Sequence, residues 1–381
     1  MSDSVKYQTC AKTVLDESYP GITFDADGIC NHYWDFQKVV KSNWRPDATG
    51  RKVLERRVEE IKKAGDGRDF DCLLGLSGGV DSSYMLHTMV TEFGLRPLVF
   101  HVDGGWNSET SVHNIHVLVD KLGIDLYTEV INWEEMRDFQ LAWFKSGVPH
   151  LDIPQDHAFI AVLYKFAEQY GIRTILNGGN IATECVSMPF QYYYWGTDMS
   201  QIRDVIRLFG SVPMRTYPFS SVYRHKLYLR FLKRVKVFKP LNYMPYSKQM
   251  AIDLLQREYG WKPYPQKHFE SRFTRFYEGY WLPTRFGFDV RRCQLSSLIL
   301  TGQITRSDAI QELERPTYDK ATAREDFEYV ATKLRVDPEE LTRYHAMPKR
   351  YYWDYRNESQ ILSLAEKLVS LLKIGRRGGA F

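Results

Sequence analysis

With 381 residues, 44% hydrophobic and 26% charged, the chain has the balance of a soluble globular protein and enough length for one large core or two ordinary domains. Its 51 basic and 47 acidic residues leave a net charge of only +4, which excludes a general nucleic-acid binder. No apolar run approaches the roughly 18–20 residues of a membrane span, and Met1-Ser2-Asp3-Ser4 is not a basic region leading into an apolar one, so a cytoplasmic protein is expected. The five cysteines (10, 30, 72, 185 and 293) are scattered and odd in number, which fits a reducing compartment rather than a disulfide framework.

In chain order, residues 1–50 read as a small module rich in turn signals. A charged helical stretch from about 52 to 63 leads to the apolar run Leu73-Leu74-Gly75-Leu76. The turn Ser77-Gly78-Gly79-Val80-Asp81-Ser82-Ser83 follows, and a helix is predicted over about 82–93. A strand, a glycine turn and a helix in that order make an anion site. The glycines permit positive φ and close approach, and the first-turn N–H groups and their dipole face negative charge. Ser77, Ser82 and Ser83 add hydroxyls and Asp81 a ligand for Mg²⁺, while the lysine of a Walker loop is absent.

Further strands are predicted at 98–102, 126–131 and 174–176, with helices at about 109–122, 133–145 and 155–170 between them. Such alternation implies right-handed crossovers and a doubly wound parallel α/β sheet, whose ligands bind beyond the carboxyl ends of the strands near the switch point. Ser77–Ser83, Asp103–Trp106 and Asn177–Asn180 all follow strands and are expected at one edge. From Arg203 to Lys239 there are ten basic residues against one acid, Asp204, interleaved with aromatics; this basic insertion is either a solvated helix or a face for phosphates or an acidic partner. A helix is expected from about 247 to 259. The region 301–381 reads as helical, and the main domain is taken as 51–300.

The glycine turn resembles the PP-loop of the ATP pyrophosphatases, which cut ATP between its α- and β-phosphates. Together with His101–Glu109, Pro154–Ala158, Leu176–Glu184 and His268–Phe273 it resembles, from about residue 7 to 315, the N-acetyl sugar amidotransferases of surface-polysaccharide biosynthesis, the WbpG-like and PseA-like proteins. The resemblance implies conversion of the acetamido group of a nucleotide-linked N-acetyl sugar into an acetamidino group, with ATP, Mg²⁺ and ammonia, for lipopolysaccharide O-antigen. Many relatives carry two Cys-x-x-Cys pairs near the N-terminus. Here Thr13 and Tyr33 replace the second cysteine of each, so Cys10, Cys30 and His32 are at most three ligands, and no zinc site is expected.

On this reading ATP is held by Ser77, Gly78, Gly79, Asp81, Ser82, Ser83, Asp103, Gly178 and Asn180. Catalytic roles fall to Asp81, to Glu184 as orienter of ammonia or proton acceptor, and to Lys267, Arg272 and Arg275 as cations for the α-phosphate and pyrophosphate. Asp156, His157 and Asn177 are sugar-contact candidates. No cysteine follows the initiator Met or has a glycine beside it, so ammonia is expected from a separate glutaminase subunit resembling the histidine-pathway pair HisH and HisF. Two competing readings are a PP-loop tRNA-modifying enzyme, with the basic segment as RNA face, and a non-catalytic ATP-binding regulator.

Overall fold

The computed structural model describes residues 7–224 and 233–364. Five strands form one sheet: β1 (Cys72–Gly75), β2 (Pro97–Asp103), β3 (Leu126–Val130), β4 (Thr174–Leu176) and β5 (Lys236–Phe238). Their order is β3-β2-β1-β4-β5, and every pairing is parallel. This is the doubly wound sheet that the alternation of apolar runs and helical patterns predicts. The chain runs outward from β1 through β2 to β3, then crosses back to lay β4 on the other side of β1, so the switch point lies between β1 and β4.

The central strands are continuous apolar runs because helices cover both faces. Leu73, Leu74, Leu98, Val99 and Ile175 are all buried, whereas Val130 on edge strand β3 and Val237 on edge strand β5 are exposed. Capping side chains fix the helix starts. Asp47 accepts from Thr49 N and Gly50 N at the head of Ala48–Ala64, Ser108 caps Glu109–Leu122, and Asn132 caps Trp133–Ser146. The fifth strand was not expected; it lies inside the basic segment and pairs Thr174 with Lys236 and Leu176 with Phe238. Of the other basic residues there, Arg207 pairs with Asp204 and Arg224 with Glu168, while Lys226 and Arg230 lie outside the described residues.

The N-terminal residues are stapled onto the helices Arg291–Leu300 and Arg306–Glu314. Val14 N donates to Ser296 Oγ, Arg292 pairs with Asp16 at 2.9 Å, and the Arg306 guanidinium donates to the carbonyls of Cys10 and Thr13. Cys10, Leu15, Tyr19, Ile29 and Cys30 belong to the same apolar cluster as Phe288 and Trp143. Cys10 and Cys30 come together, with Cys30 N donating to Cys10 Sγ at 3.2 Å, and the Thr13 hydroxyl lies 3.8 Å from Cys30 Sγ. Among the described residues, no group of three or more His, Cys, Asp or Glu is placed to hold a metal. No described helix is long and apolar enough to cross a membrane.

Candidate active site

The carboxyl end of β1 runs straight into the glycine turn. Gly78 takes φ +82°, the left-handed region open to glycine, and an added Cβ would lie 2.8 Å from Ser111 O. Gly79 has ordinary extended backbone, and a Cβ there would lie 2.8 Å from Glu270 Oε1, the far end of that side chain. Trp261 Nε1 and the Tyr264 hydroxyl both donate to Gly78 O, which fixes the turn from outside. The helix Val80–Thr91 starts without a side-chain cap, so its first-turn N–H groups face the mouth. Ser77 and Ser82 place their hydroxyls 3.3 Å apart at that mouth. Ser83 is fully buried with its hydroxyl unpartnered, so unlike them it offers no exposed hydroxyl.

From the far side of the switch point, the loop after β4 closes on the same place. A Cβ on Gly178 would sit 3.2 Å from Ser82 N, so the two loops touch. Asn177 Oδ1 accepts from Gly179 N, and Asn180 caps the short helix Ile181–Glu184 through Thr183 N while its Nδ2 donates to Gly178 O. Both ends of the Asn180 side chain are thus committed inside the loop, which it braces.

The third wall is the segment 267–272, zipped antiparallel along the loop after β2. Ser108 N donates to Glu270 O, and Arg272 N to Trp106 O. That anchorage carries Lys267 to the centre. Its Nζ lies 3.0 Å from Asp81 Oδ2, 2.7 Å from Glu184 Oε1 and 3.2 Å from Thr183 Oγ1. The other Asp81 oxygen accepts from the Tyr246 hydroxyl. Burial opposes the charge on Lys267, but Asp81 and Glu184 outweigh it and hold the ammonium well above its ordinary pKa. Glu184 shows the converse: burial pushes its carboxyl up, and Lys267 more than offsets this, leaving it below the usual range.

Three residues at this site went unnoticed in the sequence. Lys239, at the end of β5, faces Gly179 and Glu184, and Lys248 lies near Lys267 and Asp81; burial lowers the pKa of both. Two further half-buried ammonium groups suit an anionic ligand. Glu270 faces Gly79, and burial pushes its carboxyl up. The sequence signal for Lys239 was the basic segment, read as a surface face.

Other expected residues lie elsewhere. Arg272 and Arg275 turn away from Asp81. Arg272 Nε and Arg275 Nη2 both bind Asp326 Oδ1, at 2.6 and 2.7 Å, and Arg272 also stacks on Tyr329. The structure brings neither to the phosphate cradle: their charge is used on a fully buried carboxylate of the helix Lys320–Leu334. His157 is buried with Nδ1 on Gly196 O at 2.6 Å and Nε2 accepting from Ser220 N at 3.1 Å, so both ring nitrogens are engaged by backbone. Asp156 stands beside His150 in a separate polar cluster. Asp103 accepts from Gly105 N at the end of β2, and Ser108 caps the following helix in its place.

Residues 270–369 match the family model described as "LPS biosynthesis protein WbpG-like, C-terminal domain". The resemblance to WbpG-like proteins is thereby borne out on a segment that begins at Glu270 and extends well beyond residue 315. The structure of the NMN synthetase from Francisella tularensis aligns with 80% of this chain and 99% of its own at 13% identity and TM-score 0.32. The NH3-dependent NAD synthetase from Campylobacter jejuni, solved with nitrate, aligns over 79% and 98% at 12% identity and TM-score 0.30. Likeness at that level says nothing of activity, and the fold class rests on this chain's own strand order. No curated protein matches the chain.

Proposed function

We propose that the chain is an ATP-dependent, AMP- and pyrophosphate-forming amidotransferase that replaces the acetamido oxygen of a nucleotide-linked N-acetyl sugar by ammonia, for surface-polysaccharide biosynthesis. The observation that carries this reading is Lys267, which joins Asp81 of the glycine turn to Glu184 of the β4 loop at the switch point. An acetamide is a poor electrophile. Attack of its oxygen on the α-phosphorus of ATP gives an O-adenylyl imidate, from which oxygen can leave once ammonia has added. The protein's part is positioning and charge stabilisation.

The N–H groups of the helix Val80–Thr91 and the Ser77 and Ser82 hydroxyls suit the departing pyrophosphate. Lys239, Lys248 and Lys267 supply the cations that the glycine turn lacks. Hard oxygen donors beside a phosphate cradle fit Mg²⁺, and Asp81 is the carboxylate that would hold it. Bound there, the ion supplies charge neutralisation on the phosphates.

Ammonia comes, on this reading, from a separate glutaminase subunit, since none of the five cysteines has the glycine-flanked setting of a glutaminase nucleophile. The test is pyrophosphate release over a panel of nucleotide-linked N-acetyl sugars with ammonium supplied. Release with one such sugar, dependent on its acetamido group, is expected. Release with bulk tRNA and none of the sugars points instead to the tRNA-modifying reading, and bound ATP with no release under any substrate to a regulator.

A further inference from the structure

Beside the phosphate site lies a second polar cluster, reached from Lys267 by one residue. His268 takes φ +66°, so its side chain leaves on a different bearing from its neighbour's and meets Glu278, with Nδ1 3.2 Å from both carboxylate oxygens. Glu278 also accepts from the Tyr193 hydroxyl at 3.1 Å and is itself buried. Asp152 and Asp156 enter from the start of the helix Ile153–Gln169, four residues apart and hence on one face. Asp156 Oδ2 lies 3.3 Å from His150 Nε2.

Asp152 is the unusual member. It is 4% exposed, its Oδ2 accepts from the Thr274 hydroxyl at 2.6 Å, and its Oδ1 is buried with no donor at all. It does not cap the helix that it precedes. A buried carboxylate oxygen without a donor is costly, and burial together with the charge of Asp156 pushes this carboxyl well up. Asp156, Glu278 and His268 lie close enough to act electrostatically on this unsatisfied acceptor, and the two further carboxylates repel phosphate and suit a small ligand made only of donors.

We propose that the cluster of Asp152, Asp156 and Glu278 is the ammonium site of this enzyme, with Asp152 Oδ1 as the acceptor that binds the ion and takes its first proton. This rests on the amidination reading above. Of the four protons of ammonium, one goes to the Asp152 carboxylate, and the lone pair so exposed forms the new C–N bond. The C–O bond to AMP breaks with its electron pair on the phosphate oxygen. A second proton is lost to the leaving groups, and two remain on the amidinium nitrogen. His150 offers the first proton a way out. Its Nδ1 donates to Tyr194 O, which leaves Nε2 to exchange a proton with Asp156, one helical turn from Asp152.

Two measurements test this. Ammonium chloride is expected to raise the melting temperature of the wild-type chain above that in equal sodium chloride, tetramethylammonium chloride giving no rise, and Asp152→Asn is expected to abolish the difference. In turnover, Asp152→Asn should raise KM for ammonium at least tenfold while exchange of labelled pyrophosphate into ATP, which needs the sugar but no ammonia, keeps its wild-type rate. Should Asp152→Asn fail to fold, Asp156→Asn at a half-exposed position should raise the same KM by about threefold. An unchanged KM for ammonium, or a raised KM for the sugar with slowed exchange, overturns the proposal and makes the cluster a sugar pocket. If the wild type exchanges no label with any acetamido sugar, the amidination reading fails; the ammonium-specific melting shift still decides the site, and its absence overturns it.

Discussion

Two carboxylates divide the cations of the short segment 267–275, and they use them in opposite ways. Asp326 is fully buried and holds Arg272, Arg275 and the Tyr318 hydroxyl at once. Burial opposes its charge, but Arg275, Tyr318 and Arg272 together win and hold the carboxyl below its usual range. Every acceptor is filled, so the cluster is closed; it pins the helix Lys320–Leu334 to the helix Arg272–Phe276. Asp81 keeps 16% of its side-chain surface and has one donor on each oxygen, the Tyr246 hydroxyl and Lys267, and it shares Lys267 with Glu184. That cluster lies against first-turn N–H groups that have no acceptor, so a ligand can enter and re-partner it. Completeness of pairing separates the staple from the site.

The sharpest way to break that contrast is Asp81→Asn. Pyrophosphate formation should fall about 10³-fold, since losing charge stabilisation at a transferring phosphoryl group costs several kcal/mol. The melting temperature should move little, because Lys267 keeps Glu184. A melting temperature that collapses together with activity would make Asp81 a second staple and remove the distinction.

Next in size comes Asp326→Ala, which leaves two guanidinium groups without their carboxylate and should destabilise the chain by about 3 kcal/mol, as breaking a buried pair does. Below the lowered melting temperature, pyrophosphate formation should stay within about threefold of wild type, the range expected of a change remote from the chemistry. Chemical denaturation and the pyrophosphate assay on one preparation give both numbers. A large loss of turnover with stability intact would return Arg272 and Arg275 to the phosphates.

The sequence carried the sheet because its signals are local. Buried apolar runs at β1, β2 and β4 alternate with helices whose caps, Ser108 and Asn132, are readable in a four-residue window. The glycine turn at the end of β1 was legible for the same reason, since its strand, glycines and helix are contiguous in the chain. The sequence did not say which cation of Lys267, Arg272 and Arg275 reaches the mouth. That depends on Asp326, some fifty residues away, and on the pairing of Asn107 with Ser271. Nor did it show Lys239: a three-residue edge strand among basic residues has no period to detect, and its pairing with β4 alone turns Lys239 inward. His157 was no more legible, because a histidine bonded twice to backbone and one facing a sugar read alike.

The smallest effect sharpens the comparison from a third ion pair, His268 with Glu278, which is neither closed like Asp326 nor centred on phosphate. Burial lowers the pKa of His268, but Glu278 more than reverses this and raises it to about 9, above the ordinary 6.5. A histidine whose folded pKa exceeds its unfolded one adds stability that is fully present below pH 6.5 and is lost as pH climbs through 9. His268 keeps 37% of its side-chain surface, so water screens the pair and the gain is small. Asparagine also accepts positive φ, which makes His268→Asn the suitable control. Denaturant midpoints of wild type and His268→Asn should differ most near pH 6 and converge by pH 9.5, a window set by those two pKa values. A gap that is constant over that range would mean that His268 contributes packing alone, and would place it with the closed staple.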